Sequence, residues 1–455
     1  MEPCCSSDSN SRVFERFALP SSTDLLDIHA RQPERWPFLL ASSAPAGRLG
    51  QWSLLLRADD DPPLMADRAG TRARNFLQQL GGRLVRPGDI RWSDSEPPFV
   101  GGWFVYLGYE LAGAIESRLH LPAARDRLPI AYARRCRAAI ALDHRDASCW
   151  LVAEDEDALR AARADLCPGD GGAKADDLPA DLRVDVEPDQ RFVDGVRRIQ
   201  RYILDGDVFQ VNLSRRWQVE ADQPLSPVAM YRALAQSNPA PFAALARLPG
   251  GTIVSSSPER LVSVRGRRVE TRPIAGTRPR GACQASDQSL SDELVAHPKE
   301  RAEHIMLIDL ERNDLGRVCE TGSITVDELM IVESYAHVHH IVSNVCGRLR
   351  GDATAADVIA AVFPGGTITG CPKVRCMEII AELEGRGRSF YTGALGYLGG
   401  DGRLDLNILI RSVLIEGSAM QFSTGAGIVA DSNPDAELAE TVAKARGLLA
   451  AIGHA

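Results

Sequence analysis

The sequence reads as a large globular chain of mixed strands and helices, and three observations carry that expectation. Short apolar runs of strand length, bounded by Gly and Pro, recur along the chain. Other stretches show helical periodicity with recognisable caps. The chain of 455 residues is long enough for a large core, held either as two to three domains or as one big α/β unit. A hydrophobic fraction of 44% and a charged fraction of 25% are ordinary globular values.

Taken in order, residues 1–15 read as a frayed polar tail. The first dozen lack an apolar h-region, so they are not expected to be a signal peptide. Phe38-Leu39-Leu40 and Trp52 to Leu56 read as strands split by turns. Phe99 to Glu110 reads as a strand leading into a helix, and Ala138–Asp143 with Cys149–Val152 as a hairpin. Composition then shifts: residues 166–190 are rich in Gly, Asp and Pro, and a linker is expected there. It would separate an N-terminal lobe, 16–165, from a denser C-terminal domain, 191–455. Within that domain Arg191 to Leu204 has helical periodicity, ended by Gly206-Asp207, and Val208 to Trp217 follows as a strand. Residues 281–298 read as a polar loop. Residues 299–313 fit a helix with Ala302, Met306 and Leu310 at i, i+4 and i+8. Asn433 can cap a last helix with Pro434 at its first position, running to about Ile452 with Leu438, Val442, Ala445 and Leu449 on one face.

A net charge of −9 argues against nucleic acid as a partner, and an anionic substrate would have to meet local positive groups. The ten cysteines include no CxxC pair, so a zinc site is disfavoured and reduced thiols in a cytoplasmic protein fit best. No apolar run reaches the length of a membrane span.

Several constellations could carry chemistry. Two helices each carry acids three residues apart, Glu300 with Glu303 and Glu437 with Glu440. Such a pair shares one helix face. Alone it is most often a solvated surface; if the two faces met in a cleft, the carboxylates would suit a hard cation such as Mg²⁺. Phe363 to Lys373 is a Gly-rich loop before a helix, but Cys371-Pro372 stands where a P-loop needs Lys-Ser/Thr, so nucleotide binding is disfavoured. Its amides could cradle a carboxylate, or it is a structural turn. His337, His339 and His340 cluster without a further ligand at standard spacing, and strand alternation puts His339 and His340 on opposite sides. Glu259 follows the apolar strand Thr252–Val254, where a glutamate is commonly structural. Gly425-Ala426-Gly427 is a weak GxG signal with no GxGxxG after it.

These pieces occur together and in one order, from Asp207–Leu213 through Ser257–Arg260, Thr271–Arg280, Lys299–Val318, His339–Ser343, Phe363–Ile380, Tyr391–Tyr397 and Asp405–Ser412 to Gly425–Lys444. Over about 190–455 the series resembles the family of chorismate-binding enzymes that contains anthranilate synthase and aminodeoxychorismate synthase component I, and 20–165 resembles the family's N-terminal lobe more loosely. The resemblance implies an α/β (α+β) fold of two interleaved lobes, with antiparallel sheets packed as a sandwich and helices outside. It implies Glu303 and Glu440 as Mg²⁺ ligands, with Glu300 and Glu437 in support, and a metal that neutralises the ring carboxylate of chorismate. Arg411 and Tyr391, with the amides around Gly425 and Gly427, would clamp the second carboxylate. Thr277, Thr367 and Lys444 would line the pocket. Glu259 would be the general acid for the departing C4 hydroxyl, a role that needs a raised pKa. His340 would orient substrate or transfer protons. Gln210 stands where water-using relatives carry a lysine base, and an amide cannot act as one, so ammonia is the implied nucleophile. No glutaminase Cys-His-Glu arrangement is evident, so a separate glutamine amidotransferase subunit is the implied partner.

The branch is contested within the sequence. Asn238-Pro239-Ala240-Pro241-Phe242, Leu40-Ala41-Ser42, Gly101 to Phe104 and Leu142-Asp143-His144 resemble the aminodeoxychorismate synthases. Ala275, inside Pro273 to Gly281, stands where many of those enzymes have a nucleophilic lysine and where anthranilate synthases usually have alanine. The expected product is 4-amino-4-deoxychorismate, with anthranilate as the alternative. A catalytically silent subunit would need a broken metal or carboxylate site.

Overall fold

The computed structural model describes residues 13–17, 24–43, 50–67, 71–82, 96–166, 177–281, 283–334 and 338–454. Their strands form two antiparallel sheets. In the first sheet the N-terminal strands Val13–Arg16, Ser148–Ala153, Ala138–Asp143, Trp52–Arg57 and Phe38–Ala41 continue directly into Phe242–Leu248, Gly251–Ser257, Ser412–Glu416, Ala419–Ile428 and Gln210–Glu220. In the second, Ile274–Pro279, Val338–Arg348, Arg268–Thr271, Arg260–Arg265, Leu404–Asn407 and Ala394–Gly399 continue into Gly102–Leu107, Ala131–Cys136 and Leu64–Ala66. N- and C-terminal strands thus share both sheets, which is the interleaving that the family resemblance implies.

The sheets pack face to face. One buried cluster draws Phe38, Leu54, Ala244 and Leu414 from the first sheet and Phe104, Tyr106, Leu395 and Tyr397 from the second. Phe38 and Phe104 stack across the interface with ring centroids 3.8 Å apart. Each fully buried side chain of this kind contributes roughly 1.5–3 kcal/mol. Helices cover the outer faces: Leu25, Leu159, Met230, Leu234 and Leu448 lie on the first sheet, and Phe76, Ile308, Leu315 and Ile359 on the second.

Five local expectations need correction. The tail ends earlier than residue 15, because Val13–Arg16 pairs with Trp150 to Ala153. The expected linker is partly strand: Arg183–Val186 pairs with Trp217 to Glu220. The polar loop at 281–298 is largely the helix Gln284–Ala296, begun by a Cys283/Ser286 capping box and burying only Leu294. With so little apolar content it has no hydrophobic period to read. The helix Pro298–Gly316 exists as expected, and of its expected face Leu310 is buried, but Ala302 is exposed and Met306 half-buried, and the buried face also holds His304, Leu307, Ile308, Glu311 and Leu315. The last helix, Pro434–Ala451, has the expected cap, with Asn433 Oδ1 accepting from the amides of Asp435 and Ala436 at 3.0 Å. Its buried face is Glu437, Thr441, Ala445 and Leu448, so a carboxylate sits where an apolar residue was expected, and Val442 is exposed.

Candidate active site

The long strand Gln210–Glu220 fixes one side of the site. Its register against Ala419–Ile428 places Asn212 opposite Gly427 and Ser214 opposite Gly425. The two glycines are two residues apart and therefore on one face, roughly 7 Å from each other. Side chains crowd in where their Cβ atoms would stand. A Cβ at Gly427 would lie 2.4 Å from Gln210 Nε2 and 3.3 Å from Glu303 Oε1. One at Gly425 would lie 2.8 Å from the Tyr391 hydroxyl.

Two walls rise from this floor. On the strand wall Glu259 sits in the turn between Gly251–Ser257 and Arg260–Arg265, 5% exposed. Its Oε1 accepts from Thr367 Oγ1 at 2.7 Å, so the Gly-rich segment contributes a hydroxyl from its Gly366–Ile368 turn. Burial pushes the Glu259 carboxyl up to about 7, against the pull of the Thr367 hydrogen bond, the Ile274 amide, Arg411 and Lys444. His340 is buried, and its Nδ1–H donates to the Gly276 carbonyl at 3.3 Å, leaving Nε2 with the lone pair. Burial, then Arg411, lower it to about 4, so the imidazole is neutral at pH 7. Ala275 is buried in the adjoining strand, opposite Ile341, and Gly276 bulges next to it with φ +67. Thr277 pairs with His340 along the backbone; its side chain, like all of His337, lies outside the described residues. His339 points away from His340 and bonds Ser334 and Asp287.

Arg411 has φ +51, a backbone strain typical of functional positions. Its charge is felt by Tyr391, Glu259 and His340. Its guanidinium makes no hydrogen bond to a described residue. Tyr391 is buried, and desolvation pushes it up to about 12. It rests on Arg388, 5.5 Å from its ring, which in turn holds Glu384 through two bonds of 2.7 and 3.1 Å.

The helix wall is more open. Glu303 Oε1 accepts from Gln210 Nε2. Glu300 accepts from Arg278 at 3.3 Å. Lys444 Nζ donates to the Gly425 carbonyl at 2.9 Å and pairs with Glu440 at 2.6 Å. Glu437 does not share Glu440's environment: it is buried and accepts from Ser432 Oγ at 2.6 Å. Among the described residues no three His, Cys, Asp or Glu side chains converge to hold a metal. The four acids are therefore not a ready-made cage.

The sequence reading missed the Arg388–Glu384 pair beneath Tyr391, the Arg278–Glu300 link and Ser432. The first had a signal, an i, i+4 pair across the Gly385 helix end; the others are long-range contacts or a loop geometry without one. Leu40-Ala41 and Pro241-Phe242, from segments read as resembling one branch, line a separate cavity of about 100 Å³ with Trp52, Arg260 and Tyr397. The seven described cysteines are all free, and no helix among the described residues is long and apolar enough to cross a membrane.

A mixed fold of sandwiched antiparallel sheets thus gathers one dry acid, one neutral imidazole, an arginine with no hydrogen bond to a described residue and several part-exposed carboxylates, a set able to bind an anion and move a proton. Residues 63–450 match the chorismate binding enzyme family, and the chain belongs to it. It is 46% identical over 356 residues to the "anthranilate synthase component I-like protein" of Synechocystis sp., covering 78% of this chain and 73% of that one. It is 42% identical over 366 residues to aminodeoxychorismate synthase component 1 of Bacillus subtilis, covering 77% and 76%. The solved anthranilate synthase component I of Streptococcus pneumoniae superposes with a TM-score of 0.77 at 30% identity, covering 88% of this chain and 92% of that one.

Proposed function

We propose that this chain is the chorismate-aminating component of an aminodeoxychorismate synthase, making 4-amino-4-deoxychorismate for 4-aminobenzoate and folate synthesis. The observation that carries amination, which both product readings share, is Gln210, and the branch rests on the segments that resemble aminodeoxychorismate synthases. Gln210 reaches into the site to Glu303 and crowds Gly427, yet an amide has no proton affinity to activate water. Ammonia, which attacks without first losing a proton to a base, fits that position better than water. Glu259, protonated near neutrality, supplies the proton with which the C4 hydroxyl leaves as water while nitrogen bonds to carbon. Arg411 and Tyr391 suit one substrate carboxylate, the guanidinium fork giving paired charge-assisted bonds.

Glu303 and Glu440 fit Mg²⁺. Their oxygens are hard donors, Glu303 lies against Gly427, Glu440 pairs with the Lys444 that donates to the Gly425 carbonyl, and Mg²⁺ ordinarily takes one or two carboxylates and keeps waters. When bound it would offset the charge of the ring carboxylate. Glu300 and Glu437 are anchored elsewhere and act in support. Ammonia would come from a glutamine amidotransferase subunit, with cytoplasmic enzymes as the setting.

A second reading, anthranilate synthesis, is favoured by Ala275, which offers no side-chain nucleophile, and leaves ammonia to add at C2. The experiment is product analysis. The purified chain with chorismate, Mg²⁺ and ammonium should yield a product that a lyase converts to 4-aminobenzoate. Fluorescent anthranilate alone would overturn the reading.

A further inference from the structure

The Gln284–Ala296 helix buries one residue, Leu294, yet it lies against the strand that carries Ala275 and Gly276. A helix with so little apolar contact needs another reason to stay docked. Asp287 supplies it. Its Oδ1 accepts from Arg280 Nε at 2.8 Å, from the Gly281 amide at 2.7 Å and from His339 Nε2 at 2.9 Å; its Oδ2 accepts from Arg280 Nη2 at 2.7 Å. His339, 2% exposed, uses its other nitrogen on Ser334 Oγ at 2.7 Å. One carboxylate therefore ties together the end of the site strand, the first turn of the helix, the Val338–Arg348 strand and the end of Thr325–Ser334. The approach is so close that a Cβ on Gly281 would lie 2.2 Å from the Asp287 nitrogen.

The knot leads into the site by short steps. Leu294 backs the Gly276 bulge, where a Cβ would come within 2.9 Å of its Cδ1. Arg278 bridges Glu293 of this helix, at 3.1 Å, and Glu300, at 3.3 Å. The Gly276 carbonyl is the acceptor that orients His340. The ion pair of Asp287 with Arg280 that holds the helix is partly solvated, whereas the imidazole it helps to place is buried.

We propose that Asp287 is a positioning residue whose carboxylate fastens the Gln284–Ala296 helix over the Gly276 bulge, and that the fastened helix keeps His340 and Glu300 in working order. The proposal rests on the reading of this pocket as the amination site. With the knot broken the helix lifts, the bulge loses its backing, and the imidazole loses its fixed tautomer.

The test compares the full-length chain with Asp287→Asn, which keeps the volume and removes the charge. Amide hydrogen exchange should quicken by about tenfold or more in peptides covering 284–296 and 338–342, and stay unchanged in the Gly102–Leu107 and Phe242–Leu248 strands. With ammonium as nitrogen source, kcat should fall about tenfold or more while KM for chorismate moves less than about threefold, because the carboxylate clamp is not touched. Arg280→Gln should reproduce both effects, and Asp287→Glu should restore part of kcat. Unchanged exchange at 284–296, uniform acceleration across the chain, or local acceleration with unchanged kcat would each overturn the proposal. A wild-type chain that does not aminate chorismate would sink the functional reading instead. Exchange would then decide alone, and release of 284–296 without 338–342 would refute the coupling.

Discussion

The strand wall and the helix wall of the pocket hold the same kind of side chain under opposite conditions. Glu259 is 5% exposed, and burial holds its proton to about pH 7. Glu440, across the pocket, has a side chain 47% exposed and paired with Lys444. A carboxyl that must give up a proton needs a dry place where its charged form is disfavoured. One that must hold positive charge needs to stay ionised, with water and counter-ions at hand. In the proposed mechanism the two walls divide these tasks, with Arg411 and Lys444 supplying positive charge locally in a chain of net charge −9.

The largest blow to this division should come from Glu259→Gln. It keeps the Thr367 hydrogen bond but removes the acid, and kcat should drop about 1,000-fold with KM nearly unchanged, measured at saturating ammonium. Glu303→Ala strikes the helix wall. Turnover should fall about 100-fold and the Mg²⁺ needed for half-activation should rise, read by titration calorimetry as well as by rate; unchanged Mg²⁺ affinity would remove Glu303 from the metal site. Arg411→Lys keeps the charge and loses the fork, so KM for chorismate should rise about tenfold while kcat holds within a few-fold. Glu437→Gln should do least. Its partner is the Ser432 hydroxyl, which an amide oxygen also satisfies, so activity should stay within about threefold. A loss matching that of Glu303→Ala would mean that the buried and exposed acids of the last helix act together.

Much of this was legible in the sequence where local chemistry decides structure. Asn433 followed by Pro434 announces a helix start, and Asn433 caps that helix. The sheet strands around Phe38, Leu54, Phe104 and Ile140 were marked by their apolar runs. Other features depend on contacts far apart in the chain. The acids at 437 and 440 share a spacing but not an environment, because Ser432 turns back onto one and Lys444 reaches the other. The Gln284–Ala296 helix carries no hydrophobic period, and its anchor is Asp287, ion-paired to Arg280 and hydrogen-bonded to His339. Glu259 could be named as an acid, but its raised pKa comes from burial between strands that meet only in the fold.

The central claim, a proton donor on the dry wall, is tested most directly by the pH dependence of kcat. Free ammonia is held fixed across the series by adjusting total ammonium. The protonated carboxyl is the active form, so the wild-type rate should be flat below neutrality and fall as pH rises through about 7. His340, already neutral above about 4, adds no limb in that range. Glu259→Gln should give a low, flat profile. A wild-type rate that rises through neutrality, or a Glu259→Gln profile with the same descending limb, would contradict the account.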